Sequence, residues 1–326
     1  MRTLLQARHL STWIAVAILV ALLVLGGARF DHFLSGATVS GLFAEYAFLG
    51  IAAVGATIVI LTGGIDLSVG SVVAATSTLV AALVERHAMH PLAAALIAVA
   101  LGVAFGSING VLIARMALPP FLVTLAAMFA ARALGFMVAP QSMSIRHPFC
   151  DWASRDATIA LGGGASIPFR TMIFIAVVVV AFVMLHATRL GRSIYAIGGN
   201  ERSARLMGVP VDRVKISTYA IAGGCSALAG VVFALYKQAG DPASATGLEL
   251  EAIAATVIGG TLLSGGVGLV LGTVIGVLIL GTIRLLIDFQ GNLNAAWTSI
   301  ASGALLLAFV AMQLAIASIA RRWATR

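Results

Sequence analysis

The chain has 326 residues, of which 60% are hydrophobic and 10% are charged, whereas soluble proteins have about 45–50% and about 25%. Together with a mean hydropathy of +1.06, this excludes a soluble globular protein and indicates an integral membrane protein. The net charge of +8 comes mostly from arginines at the ends of apolar segments. Because these arginines form no basic stripe, a nucleic-acid-binding face is excluded as well.

Uncharged stretches follow one another along the chain, and most approach the ~20 residues that a spanning helix needs. They cover residues 10–28, 46–65, 67–84, 87–114, 116–145 (interrupted by Arg132), 171–188, 216–236, 252–283 and 289–320. The stretch 252–283 is too long for one span and contains a glycine-rich break, so we divide it into two short helices. The sequence therefore predicts an all-α polytopic membrane protein with about ten transmembrane helices, which form a single transmembrane domain over residues 1–326.

The basic residues predict how this domain is oriented. The proposed inner segments (1–9, 115, 188–215 and 321–326) hold twelve Lys and Arg residues, and the proposed outer loops hold six. Since Lys and Arg are enriched in cytoplasmic loops, both termini are predicted to be cytoplasmic. The longest polar connections are then an outer loop at 140–170 and an inner loop at 188–215.

Two glycine-rich strings interrupt the apolar pattern. "GGIDLSVG" (63–70) and "GGTLLSGG" (259–266) share five of eight residues, and they predict broken helices at 63–71 and 259–268. Backbone groups that a break frees cannot face lipid, so a break must be buried in protein or line a cavity. In transporters such broken helices near the bilayer midplane commonly form the substrate site.

Asp66, within the first break, has three possible roles. It can be a structural cap that accepts backbone N–H bonds from Ser68 or Val69, it can contact a polar permeant, or it can relay a proton or ion. The candidate pathway residues are Asp66, Ser68, Thr62, Glu251 and Thr256. For Arg132 and Arg284, which also lie within or near apolar runs, snorkelling toward an interface is the simplest interpretation.

The inner loop contains signals for a short surface helix. Asn200 is a good N-cap, Glu201 suits the positive helix N-terminus, and Gly208 followed by Pro210 ends the helix. The signals predict a helix from Glu201 to Met207, with an apolar side formed by Ala204, Leu206 and Met207 near Arg205. Such a short, capped helix suits docking into a groove of a soluble partner, and an ordinary interfacial helix is the alternative interpretation.

Motifs of soluble chemistry are missing from the sequence. It has no GxxxxGK[ST] phosphate loop, no HExxH, no GxSxG and no Cys/His metal spacing. These absences give an enzyme little support, and this chain is not expected to bind ATP by that route.

Three longer strings resemble a known family: "GGIDLSVGSVVA", "AIGGNERSARLMGV" and "VIGGTLLSGGVGLVLGT". They are similar to motifs in the permease subunits of bacterial ABC importers for ribose, xylose, galactose and related sugars. The resemblance covers about residues 44–311. "SIRHPF" and the full "IGGTLLSGGVG" most resemble a permease of the galactofuranose importer.

The resemblance implies a multi-pass permease domain that lies among the lipids of the bacterial inner membrane. It further implies that this chain pairs with a second permease, which is a different chain in the galactofuranose system. It also implies a cytoplasmic ATPase that holds ATP and Mg²⁺, and a periplasmic sugar-binding protein, while this chain itself binds no cofactor and no nucleic acid. Asn200 to Gly208 would form the coupling helix that contacts the ATPase. Nucleosides or branched-chain amino acids remain alternative cargoes, and an ion-coupled transporter that uses Asp66 remains an alternative mechanism.

Overall fold

The computed structural model describes residues 2–291, 296–297, 300–301 and 303–311, and the chain is mostly helical within them. The helices are α1 (Arg2–Arg29), α2 (Gly36–Glu45), α3 (Ala47–Leu61), α4 (Val69–His87), α5 (Pro91–Arg115), α6 (Pro120–Val138), α7 (Pro148–Asp151), α8 (Phe169–Ala187), α9 (Arg189–Gly199), α10 (Glu201–Leu206), α11 (Val211–Lys237), α12 (Leu248–Ile258) and α13 (Val270–Gln290). A π-helical turn, Trp152–Asp156, follows α7.

Four short strands lie in the predicted outer loops. β1 (Met143–Ser144) pairs antiparallel with β4 (Ala239–Gly240), and β2 (Thr158–Gly162) forms a hairpin with β3 (Ala165–Pro168). The prediction of an all-α chain missed these strands because they are only two to five residues long. Runs of that length show too little alternation for a strand to be recognised from the sequence pattern.

Among the described residues, seven helices are long and apolar enough to cross a membrane, and eight if α2 and α3, bent by 51°, count as one span. The predicted count of ten also includes the second broken segment, where α12 has only 11 residues, less than a bilayer requires. The predicted last span, 289–320, lies partly outside the described residues, and the basic segment 321–326 lies wholly outside them. Ten spans and the orientation of the chain therefore stay predictions.

Small residues bring α5 and α11 into the most extensive helix contact among the described elements. Gly102 and Gly106 of α5 lie against Gly223 of α11, and a Cβ added at Gly106 would overlap the Tyr219 carbonyl oxygen. Close backbone approach through small residues is how helices associate in lipid, where burial of apolar surface gives no driving force. The abundant glycines of the sequence therefore serve packing along this pair.

The predicted outer loops contact one another at one end of the molecule. The Ile145 N–H donates to the Gln238 carbonyl (2.8 Å), and Arg86 Nη1 donates to the Val138 carbonyl (2.8 Å). The Ser166 N–H donates to Ser40 Oγ (2.9 Å), which places the β2–β3 hairpin on α2. The predicted topology places these loops on the same side of the membrane, and their contacts agree with it. Cysteine labelling can show which end of the molecule faces the cytoplasm.

Single cysteines at two exposed serines, S142C and S203C, are expected to react from opposite sides of the membrane. In intact cells an impermeant maleimide should label S142C, and S203C should label only after permeabilisation. The background must lack Cys150 and Cys225. Burial, followed by the charges of Asp151 and Glu85, raises the pKa of Cys150 to about 11, so native Cys150 should react slowly near neutral pH. Labelling of both sites in intact cells would contradict the orientation.

Candidate translocation and coupling site

The first break separates α3 from α4 over residues 62–68, slightly earlier than the predicted 63–71, because α4 already begins at Val69. Gly63 has a positive φ of 80°, a conformation that glycine adopts without steric cost. The Gly63 N–H donates to Ile60 O (2.8 Å), and the Gly64 N–H donates to Val59 O (3.2 Å). These bonds satisfy backbone groups that would otherwise be unpaired inside the membrane.

Asp66 is buried in this break. Its Oδ1 accepts hydrogen bonds from the Ser68 backbone N–H (2.9 Å) and from Ser68 Oγ (2.6 Å). The bond expected for the structural interpretation is therefore present, and it ties the break to the residue that precedes α4. Thr62 Oγ1 donates to Val59 O (2.7 Å). The structure thus brings three predicted pathway residues, Asp66, Ser68 and Thr62, into one compact turn.

Two side chains from other helices hold the same break. The carbonyl oxygen of Ile65, next to Asp66, accepts a bond from Thr124 Oγ1 of α6 (3.3 Å) and one from Tyr219 Oη of α11 (3.4 Å). Helices α6 and α11 therefore both help to hold the broken segment in position. Neither residue is marked by a local sequence signal, since each matters only through packing.

The second break separates α12 from α13 over residues 259–269, close to the predicted 259–268. The Leu262 N–H donates to Val267 O (3.0 Å), and the Gly265 N–H donates to Leu262 O (3.0 Å), so the segment closes on itself as a turn. Gly265 and Gly266 have positive φ values of 84° and 73°. Both glycine-rich strings therefore form the broken helices that the sequence predicts.

The two breaks meet each other, and α9 meets both. We call Leu61, Gly63, Gly198, Gly265 and Gly266 the glycine junction. The Gly266 N–H donates to Leu61 O (2.9 Å), and a Cβ added at Gly198 would overlap Leu61 O and Gly266 N. Three chain segments far apart in sequence thus touch backbone to backbone, which only glycine permits.

Sequence reasoning missed α9 and its part in this junction. The helix buries Ile194 and Ile197 and half-buries Leu190, a four-and-three spacing that is typical of an amphipathic helix. Tyr195 Oη donates to Gly268 O (2.9 Å), a second contact between α9 and the second break. The available signal for the junction itself was the third glycine pair, Gly198–Gly199, which resembles the pairs in the two breaks.

The predicted surface helix follows the junction directly as α10, Glu201–Leu206, one residue shorter than predicted. Asn200 Oδ1 accepts from the Ser203 N–H (2.8 Å), which confirms the N-cap. Gly208 has a positive φ of 83°, and the Val209 N–H donates across it to Ala204 O (3.1 Å). The predicted start and stop signals both operate.

The apolar side predicted for this helix needs a correction. Ala204 is fully buried against the chain's own core, because α10 folds back on α9 and the start of α11. Leu206 and Met207 are 83% and 72% exposed. A docking contact can therefore involve Leu206 and Met207, whereas the Ala204 side chain is not available to a partner.

Ion pairs fasten α10 to the first turns of α11. Lys215 Nζ lies 2.7 Å from Glu201 Oε2, and Arg205 Nη2 lies 2.8 Å from Asp212 Oδ1 and 3.7 Å from Glu201 Oε1. Arg205 and Glu201, both predicted as coupling residues, are thus used within the chain. Displacement of α10 would consequently act on α11 as well as on the glycine junction.

The remaining predicted pathway residues lie apart from Asp66. Thr256 is buried in the core, where its Oγ1 lies 3.2 Å from Thr57 Oγ1, which in turn lies 2.7 Å from Thr273 Oγ1. These three hydroxyls join α3, α12 and α13. Glu251 is exposed in the first turn of α12, toward the end that carries the outer loops.

Within the part of the chain that the structure describes, no group of three or more His, Cys, Asp or Glu side chains is placed to hold a metal ion. The site consists of two broken helices that pack through glycines against α9, and α9 leads into α10 with its exposed apolar side chains Leu206 and Met207. A displacement of α10 would therefore be passed on to the backbone of both breaks.

Comparison with known proteins places the sequence in a family. Residues 38–310 match the family described as "Branched-chain amino acid transport system / permease component". The chain is 44% identical to the inner membrane ABC transporter permease protein YjfF of Escherichia coli K12, over 94% of this chain and 92% of that protein. It is 36% identical to the fructose import permease protein FruG of Bifidobacterium longum, over 97% and 94% of the two chains.

The chain is also 43% identical to the ribose import permease protein RbsC of Escherichia coli K12, over 71% of each chain. No solved structure matches it. The family match covers most of the sequence, including both breaks, the glycine junction and α10. The chain therefore belongs to the family of permease components of branched-chain amino acid transport type, as a multi-pass transport component of the inner membrane rather than an enzyme.

Proposed function

We propose that this chain is the permease subunit of an ATP-driven ABC importer that carries a monosaccharide, galactofuranose or a related sugar, across the inner membrane. Import permeases for fructose and ribose among its relatives support a sugar as cargo. The strings "SIRHPF" and "IGGTLLSGGVG" support galactofuranose. The whole chain, 1–326, acts as one transmembrane permease domain.

The observation that carries the mechanism is the contact of the glycine junction with the segment that leads into α10. Gly198 stands two residues before the N-cap Asn200 and touches both breaks. A separate cytoplasmic ATPase, which binds ATP and Mg²⁺, docks on Leu206 and Met207. When its domains close on ATP, α10 moves, the junction moves with it, and the broken helices switch the pathway between inward-open and outward-open states.

Two further partners complete the importer. A second permease, a different chain, faces this one across the pathway, and a periplasmic binding protein delivers the sugar to the outer end. The chain itself binds no cofactor. Selectivity lies mostly with the binding protein, which agrees with the burial of Asp66, Ser68, Thr62 and Thr256 inside this chain.

A branched-chain amino acid is the second candidate cargo, because the family description names that class. An ion-coupled transporter is less well supported. Asp66 is buried and uses Oδ1 in two bonds to Ser68, so the carboxylate serves the break rather than a water-filled path.

Reconstitution tests the proposal. The chain is placed in proteoliposomes with the ATPase, second permease and binding protein that neighbouring genes are expected to encode. Uptake of labelled galactofuranose, ribose or fructose should require ATP and binding protein, and should persist in the presence of a proton uncoupler. Uptake of leucine alone would assign the cargo to amino acids. Uptake driven by an ion gradient without ATP would overturn the ABC mechanism.

Asp66 variants in the same system separate the structural role from the ion relay. Asp66→Asn keeps an oxygen at Oδ1 that can accept both bonds from Ser68, so it should retain more uptake than Asp66→Leu. Both variants are compared at equal amounts of assembled complex. If Asp66→Asn abolishes uptake as completely as Asp66→Leu, the charge itself is needed, which would favour the relay.

A further inference from the structure

A cavity of about 240 Å³ with several charged residues in its wall lies between α2 and α13, away from the glycine junction and toward the outer loops. Its walls hold both charged and aromatic side chains: Thr38, Gly41, Leu42, Glu45, Tyr46, Gly281, Arg284, Leu285, Asp288 and Phe289. The Tyr46 ring packs on Gly281, where an added Cβ would lie 3.0–3.1 Å from two ring carbons. The volume is below the ~300–1,000 Å³ of pockets for drug-sized ligands and suits one small molecule.

Arg284 contributes one buried hydrogen-bond donor, Nε, to this cavity. This Nε–H has no hydrogen-bond partner within the described residues. The Asp288 carboxylate lies at 3.9 Å, which is an ion pair but too long for a hydrogen bond. A guanidinium carries five donors, and an ionisable side chain at membrane depth is costly unless it faces a protein interior or a pathway. The snorkelling interpretation leaves the buried Nε–H without a role.

The polar surface continues beyond the cavity wall. Glu45 Oε1 accepts a bond from Tyr236 Oη (3.3 Å), and the Arg170 guanidinium lies over the Tyr236 ring, 5.0 Å from its centroid. Two further buried donors, Nε and Nη1 of Arg170, also have no hydrogen-bond partner in the part of the chain that the structure describes.

This chemistry matches a neutral sugar better than an ion. The charged residues that line the cavity, Arg284, Glu45 and Asp288, leave little net charge to attract a strongly charged solute. Sugar hydroxyls can accept from guanidinium N–H groups and donate to carboxylates, while the Tyr46 ring offers apolar surface next to a polar tip. Donors and acceptors on several sides suit a ligand with hydroxyls around its whole ring.

We propose that the cavity between α2 and α13 is a transient sugar-contact site at the outer end of the pathway, with Arg284, Glu45 and Tyr46 as its main contacts. The inference rests on the proposed function and adds the place where the permease itself touches its cargo. The binding protein sets the concentration dependence of uptake, so a damaged contact site should slow transfer without changing that dependence. It should also leave signalling to the ATPase through α10 intact.

Arg284→Met, which keeps a long side chain but removes all donors, tests the site in the reconstituted importer. Maximal uptake should fall about tenfold or more, the range expected when a charged hydrogen bond to cargo is lost. The sugar concentration for half-maximal uptake and the binding-protein-stimulated ATP hydrolysis should stay unchanged. Leu286→Met, two residues further along α13 and outside the cavity lining, is the control and should behave as wild type.

Three results would overturn the site. Wild-type uptake by Arg284→Met would remove its role, and a parallel loss of uptake and stimulated hydrolysis would assign Arg284 to assembly.

The third result comes from a labelling experiment on T38C in a background without Cys150 and Cys225. The rate of its reaction with a maleimide is measured during turnover, with D-galactose, D-ribose, D-fructose and L-leucine as probes. Slower maleimide labelling with the transported sugar supports the site, and no slowing, or slowing by leucine alone, contradicts it. Failure of the wild-type importer to move sugar would instead count against the proposed function.

Discussion

Replacing Gly198 with alanine is expected to reduce uptake about tenfold or more at equal levels of assembled complex. The added Cβ would overlap the Leu61 carbonyl oxygen and the Gly266 nitrogen. Both are backbone atoms, so they cannot move aside as a flexible side chain would. Overpacking of this kind costs about 1–3 kcal/mol or more, and here it would separate the two breaks or displace α9 from them.

Gly199→Ala is the matched control for this substitution. Both glycines end α9, but a Cβ added at Gly199 would have no atom within 4 Å among the described residues outside its own stretch of the helix. Alanine favours a helix over glycine by a similar amount at both positions, so the comparison isolates the junction contact. Gly198→Ala leaves the Asn200 cap and the exposed side chains of Leu206 and Met207 unchanged, so the ATPase should still co-purify with this variant. Equal uptake by the two variants would contradict a role for the junction.

The signals that identified the broken helices and α10 are local, and local signals are readable from sequence. Asn200 caps α10 and Gly208 ends it because side-chain oxygens and positive φ angles act over a few residues. The glycine pairs at 63–64 and 265–266 broke the helices for the same kind of reason. Asp66 bonds to Ser68, two residues away, as the capping interpretation required.

What the sequence could not provide depends on contacts between distant segments. On an isolated helix, Ala204 is as available to a partner as Leu206 and Met207. It is buried because α10 packs against α9 and α11. Gly198 meets Leu61 and Gly266 across long separations in the chain, which no periodicity encodes. The short length of α12 has a related reason: its 11 residues pack against α3, α4 and α13, contacts that its own sequence does not show.

The outer cavity shows the same limit in a functional site. Arg284 could be noticed as an isolated charge in an apolar run, but Glu45 and Tyr46, which line the same cavity, come from the other end of the sequence. Glu251 and Thr256 were predicted as pathway residues together with Asp66. The structure places Thr256 in a buried hydroxyl cluster with Thr57 and Thr273 and leaves Glu251 exposed in the first turn of α12.

Leu206→Asp is expected to separate the permease from its ATPase. Leu206 is 83% exposed at the end of α10, in a loop between the long apolar helices α8 and α11. If the side chain enters an apolar groove of the ATPase, an aspartate there is an unpaired buried charge, which costs about 3–5 kcal/mol. That cost corresponds to a loss of affinity of more than about 100-fold.

Substitutions at the same position supply the controls for Leu206→Asp. Leu206→Met keeps an apolar side chain of similar volume and should retain co-purification of the ATPase, stimulated ATP hydrolysis and uptake. Leu206→Asn has the shape of aspartate without its charge and should fall between the two. All three variants should insert normally, because Leu206 contributes nothing to the chain's own core. Retention of assembly, stimulated hydrolysis and uptake by Leu206→Asp would show that the ATPase docks elsewhere, and the glycine junction would then lose its proposed link to ATP.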